Sequence, residues 1–162
     1  MTPEKERGRG VLNLRGVLID FGYTLAYLNE ENVERYRKEL VSILTKYGYN
    51  KTLDDLVPIL DSTYRSSTEG EVKDIHEFWK VLLKNLGTRE RPRLIQELIE
   101  LRKNHVLTRF RLYDNVIPVL STLRKKHKLA LVSNCFVGLS DVLRALNLTH
   151  SLSVLFCHMR LE

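Results

Sequence analysis

The sequence predicts an α/β protein, a Rossmann-like parallel sheet interrupted early by an inserted helical bundle. Three observations predict it. An apolar run, Val17-Leu18-Ile19, ends in Asp20; amphipathic helical periods fill the middle of the chain; and a second apolar run, Leu129 to Val132, comes only after them. Buried strands that alternate with helices build parallel sheets.

Residues 1–10 are charged, carry two glycines and read as a flexible leader. The first strand is predicted over 15–21, where three apolar residues in succession without polar alternation suggest a strand covered on both faces. Val33, Tyr36, Leu40, Ile43, Leu44 and Tyr47 then recur at helical steps, and Gly48 follows as a stop. A second helix starts at Thr52, a capping hydroxyl, with Asp54 and Asp55 suiting its positive end and Pro58 threatening a kink. A third is predicted over 74–86, with Phe78, Trp79, Leu82 and Leu83 on its apolar stripe and Gly87 ending it. The fourth runs over 92–106 behind Pro92, a residue permitted in a first turn. After this bundle a helix over 115–126 turns Val116, Val119, Leu120 and Leu123 inward, and "KLALVSN" forms a strand over 128–134. A helix over 139–146 and a strand over 152–156 complete the pattern. The domains expected are therefore a discontinuous α/β core, 11–27 with 113–162, and a helical insertion, 28–112.

At 162 residues and 43% hydrophobic, the chain can enclose a core as one domain with an insertion. No apolar run approaches the roughly 20 residues that cross a bilayer, and the charged start lacks a secretory segment, so a cytoplasmic location is expected. Cys135 and Cys157 lack the number and spacing of a disulfide framework and are expected to be reduced thiols. The net charge of +6 arises from 26 basic residues dispersed among 20 acidic ones, which argues for a solvated surface and against a nucleic-acid partner. The basic run over 123–128 falls at a helix C-terminus, where cations complement the dipole. His76, His105, His127, His150 and His158 are scattered, without the close pairing of a metal site.

In parallel sheets function gathers at the C-terminal ends of strands. Asp20 is placed there by the first strand and Ser133 by the second. Taken alone, Asp20 could end strand pairing or cap a turn, and Ser133 could cap the helix that follows. The stretch Asp20-Phe21-Gly22-Tyr23-Thr24-Leu25, a helical insertion just downstream, and the later Leu131-Val132-Ser133-Asn134 together resemble the haloacid dehalogenase-like (HAD) hydrolase superfamily, in its form with a helical cap. The resemblance covers residues 15 to about 150.

The resemblance implies a nucleophilic Asp20 that attacks a phosphoryl group to give an acyl-phosphate, which water then hydrolyses. It implies Mg²⁺ held by the Asp20 carboxylate and the Gly22 backbone carbonyl, a hard cation on oxygen ligands. Ser133 and Asn134 match its phosphate-binding positions. Gly22 is expected to let the chain turn tightly, and Thr24 to brace the turn through a local side-chain bond.

Two departures limit what is inherited. Phosphatases of this superfamily usually carry a second aspartate two places after the first, as general acid and base, whereas this chain has Gly22. Haloacid dehalogenases dispense with that acid but place an aromatic directly before glycine-threonine, and here the order is Gly22-Tyr23-Thr24, so 2-haloacid dehalogenation is the less favoured reaction. The superfamily's later lysine and acidic magnesium motif find no match, because "SLSVLFCHMRLE" follows His150. Arg160 is a poor substitute for a lysine point charge. The expectation is an incomplete, shortened relative with weak Mg²⁺ binding and weak or no phosphatase activity, acting if at all on a small phosphorylated metabolite. The alternative is a noncatalytic HAD-like protein acting through protein contacts. With the later strands missing, the first strand should expose a sheet edge suited to self-association, and no membrane partner is expected. In the insertion, Trp79 should pack the bundle core, and Tyr64, Arg65 and residues 66–69 should form a loop facing the site.

Overall fold

A computed structural model describes residues 15–133, 136–152 and 154–157. The leader, Asn134, Cys135 and Arg160 lie outside the described residues.

The chain opens with β1 (Gly16–Ile19) and then β2 (Ala26–Leu28). Four helices follow: α1 (Glu30–Lys46), α2 (Leu53–Thr68), α3 (Ile75–Asn85) and α4 (Pro92–Arg109). The return to the sheet runs through β3 (Phe110–Leu112), α5 (Val116–Arg124), β4 (Lys128–Ser133), α6 (Leu139–Ala145) and β5 (Val154–Cys157). β1, β4 and β5 form a parallel sheet in the order β1-β4-β5, with Ile19 beside Leu131 and Leu131 beside Leu155. This is an α/β Rossmann-type sheet with a helical insertion.

The helix ends follow local chemistry. Asn29 caps α1 by accepting the Asn32 N–H, and Asp74 caps α3 by accepting that of Glu77. Thr52 and Asp55 form a reciprocal capping box at the start of α2. Gly48 and Gly87 end α1 and α3 with φ of +99° and +68°, a conformation that costs a glycine little. The helix α2 continues through Pro58, because Leu56 and Leu60 on either side are anchored in the bundle core.

Two apolar clusters result. The buried residues of one all belong to the bundle, around Leu40, Leu44, Leu56, Phe78, Trp79, Leu82 and Leu98, with Val137 packed against it from outside the bundle. Trp79 is fully buried in it, as the helical stripe predicts. The other joins Phe21, Leu25, Leu120, Leu129, Leu131, Val142 and Leu148 beneath the parallel sheet.

Four expectations are corrected. β1 is not covered on both faces: Leu18 is 70% exposed while Val17 and Ile19 turn toward the core. On β4 the same alternation buries Leu129 and Leu131 and leaves Val132 41% exposed, so α5 and α6 cover one side of the sheet only. Val119 is half exposed rather than inward. Tyr64 to Thr68 are the last turn of α2 and not a loop, with Ser67 buried and donated to by the Val137 N–H. One pairing was not expected at all: β2 and β3 pair antiparallel, Tyr27 beside Arg111, across a long sequence separation.

Candidate active site

Asp20 is the residue that follows β1. The adjacent Phe21 is buried, with its ring 5.7 Å from that of Phe110, and neighbouring side chains of an extended chain point to opposite sides. Anchoring Phe21 therefore turns Asp20 out to solvent, where it is exposed. The turn is tied by one acceptor: the Phe21 carbonyl receives the N–H groups of Leu25 at 3.0 Å and Ala26 at 3.1 Å, and that of Thr24 at 3.4 Å. Tyr23 N–H closes it on the Ala26 carbonyl at 2.8 Å. Thr24 Oγ1 donates to Asp20 Oδ2 at 3.4 Å, a long bond that braces the carboxylate.

The glycine of this turn is not where the turn needs one. The left-handed residue is Tyr23, at φ +55°, while Gly22 lies outside that region and a Cβ built on it meets nothing within 4 Å. The expectation that Gly22 permits the tight turn is thus corrected, and the strained position falls one residue later on a side chain that is 77% exposed.

Ser133 ends β4, half buried and level with Cys157 in register. Because Ile19 pairs with Leu131 in parallel register, Asp20 after β1 and Ser133 at the close of β4 lie at the same C-terminal end of the sheet. Asn134 cannot be placed beside them, as it lies outside the described residues.

The donors for Mg²⁺ are few. Among the described residues no group of three His, Cys, Asp or Glu side chains converges on a metal position. Among the described residues the hydrogen bonds of the Gly22–Ala26 bridge run through Phe21, Tyr23 and Ala26 and leave the Gly22 carbonyl out. Mg²⁺ held by few protein oxygens keeps water and phosphate as its remaining ligands.

Two cavities flank these elements, and neither Asp20 nor Ser133 lines them. One of about 720 Å³ lies beside the turn, between Tyr23, Tyr27, Val33, Arg37 and Tyr113. Another of about 590 Å³ lies between α4 and α6.

The sequence reading missed a buried polar row on α4. Arg102, His105 and Arg109 are all more than nine-tenths buried, on one face of the helix. His105 Nε2 lies 2.9 Å from Glu39 Oε2, and the Arg109 guanidinium sits 4.2 Å over the Tyr36 ring. Burial pushes the Tyr36 hydroxyl far above the usual tyrosine range. The signal was present in the spacing of three and four residues, but charged side chains do not announce burial.

No protein-family model matches the chain, and no curated protein matches it. Solved structures do. A HAD phosphatase from Thermococcus onnurineus superposes with a TM-score of 0.57 at 18% identity, over 89% of this chain and 62% of its own. A 2-haloacid dehalogenase from Pseudomonas syringae gives 0.62 at 17% identity, over 89% and 64%. The fold is HAD-like. A HAD family enzyme from Bacteroides thetaiotaomicron adds 0.53 at 15% identity, over 88% and 68%. This HAD-like chain spans about three fifths of the length of the first two structures it matches. Among the described residues no helix is long and apolar enough to cross a membrane.

Proposed function

We propose that this chain is a HAD-like hydrolase of the phosphatase type, with weak or no turnover. The observation that carries the reading is Asp20, exposed at the tip of a parallel strand and braced by Thr24, at the C-terminal end of the sheet that Ser133 shares. An Asp20 carboxylate oxygen attacks the phosphorus of a phosphate monoester, the bond to the alcohol oxygen breaks, and an acyl-phosphate forms. Water then attacks phosphorus, releasing inorganic phosphate and restoring the carboxylate. The Ser133 hydroxyl donates to a phosphate oxygen, and Asn134 is assigned to the same group. Asp20 and the Gly22 carbonyl would hold Mg²⁺, which when bound offsets phosphate charge. Gly22 supplies no proton to the leaving oxygen, and general acid help is worth about 10² to 10⁴ in rate.

The division into a core of 11–27 with 113–162 and a cap of 28–112 belongs to this reading. It is supported by the two separate apolar clusters. A small phosphorylated metabolite as substrate and a cytoplasmic location complete the proposal. A noncatalytic role through protein contacts is favoured by one observation, the open sheet face and edge at Leu18. The test is hydrolysis of a chromogenic phosphate monoester with Mg²⁺, for wild type and Asp20→Asn. Activity lost in Asp20→Asn supports the hydrolase, activity that survives it refutes the assignment of Asp20, and its absence from wild type leaves the noncatalytic reading.

A further inference from the structure

Among the described residues, the row on α4 leaves two cations without a carboxylate partner. Arg102 is 4% exposed and Arg109 is 7% exposed, and no carboxylate pairs with either among the described residues. Both guanidiniums donate to one oxygen, Tyr64 Oη, from 3.5 Å and 3.2 Å. Like charges are thus gathered where little solvent screens them, and buried charges are ordinarily paired. Burial is the largest single influence on the Tyr64 hydroxyl and pushes it up. The charges of Arg109 and Arg102, with hydrogen bonds from Arg109 and Tyr36, outweigh it and hold that hydroxyl below the usual tyrosine range.

Arg102 also forms a wall of the cavity of about 590 Å³ between α4 and α6. The turn before α6 is shaped around it: Arg102 donates to the Val137 carbonyl, and a side chain at Gly138 would occupy the space of the guanidinium. Those contacts use only part of a fork of five donors. Ile75, Ile99 and Ala145 make the cavity largely apolar, and exposed Lys73 and Lys103 stand at its rim. The two acidic lining residues are already engaged, Asp74 with the Glu77 N–H at 2.9 Å and Asp141 with Arg144 at 3.2 Å.

We propose that this seam between the helical bundle and α6 binds a small molecule with a carboxylate or phosphate head on an apolar body, the head pairing with Arg102 and the body filling the cavity. The proposal does not rest on the chemistry of Asp20. Benzoate and phenylphosphonate, which carry the two heads and do not hydrolyse, are the probes, with neutral benzamide as control. Titration calorimetry on the full chain at constant ionic strength should show both anions binding at least tenfold more tightly than benzamide. Arg102→Gln should weaken the anions at least tenfold and leave benzamide unchanged. Ala145→Phe fills the cavity without touching the charge and should abolish binding even if Arg102→Gln does not fold. Asp20→Asn and Ser133→Ala should change nothing. Equal binding of anions and benzamide, anion binding that survives Arg102→Gln or Ala145→Phe, or binding lost in Asp20→Asn would each overturn the proposal.

Discussion

Replacing Gly22 by alanine asks whether the turn after Asp20 requires a glycine. Gly22 avoids left-handed φ, and a Cβ there meets no atom within 4 Å, so alanine adds neither strain nor a clash. What remains is the unfolded chain, where alanine has less freedom to lose, a stabilisation of about 0.4–1 kcal/mol. A chain of 162 residues shifts by about 2–4 °C per kcal/mol, so the midpoint should rise by about 1–4 °C. Gly87→Ala is the contrast: φ is +68°, and the left-handed cost of about 1–2 kcal/mol exceeds the entropic gain. Its midpoint should fall. Thermal unfolding followed by far-ultraviolet circular dichroism reads both, with urea midpoints as a second measure. If Gly22→Ala falls as far as Gly87→Ala, the turn depends on Gly22 and the placement of strain on Tyr23 is wrong.

The open space at position 22 also admits an acid, and Gly22→Asp should raise Asp20-dependent phosphate monoester hydrolysis by about 10² to 10⁴, read as kcat. Leu18→Lys, on the open sheet face, should move stability by no more than about 0.5 kcal/mol while reducing self-association in sedimentation velocity. Trp79→Ala, in the fully buried bundle core, should cost about 3–5 kcal/mol in urea unfolding. The side-chain and backbone hydrogen bonds from Thr52 hold the Asp55 carboxyl below its ordinary value of 3.8. A depressed folded pKa gives stability that is present above 3.8 and lost as pH falls below it, so the gap in midpoint between wild type and Asp55→Asn should close in that acid window.

The helices were legible because their signals are local. Asn29, Thr52 and Asp74 cap them, Gly48 and Gly87 stop them, and apolar periods fill the space between. The pairing of β2 with β3 was not legible: three residues each, far apart in sequence, pair only once the bundle has folded back. The run Val17-Leu18-Ile19 misled for a different reason. Unbroken apolar sequence states that each residue tolerates burial and does not say which faces are covered, and the fold leaves Leu18 out. At the site, the position of Asp20 at the strand tip followed from the strand itself. The conformation of Gly22 and Tyr23 did not, because residue type suggested the glycine while the hydrogen bonds to Phe21 and Ala26 put the left-handed step on the tyrosine. Arg102 and Arg109 stayed hidden because their burial rests on Tyr64 and Tyr36 from other helices.

The presentation of the Asp20 carboxylate to an oxyanion is most directly tested by fluorine NMR with beryllofluoride and Mg²⁺, since a beryllofluoride bonded to a carboxylate has the shape and charge of an acyl-phosphate. Wild type should show bound fluorine resonances that are absent in Asp20→Asn and weakened in Ser133→Ala. Resonances that persist in Asp20→Asn, or none in wild type at saturating Mg²⁺, would contradict the role given to Asp20.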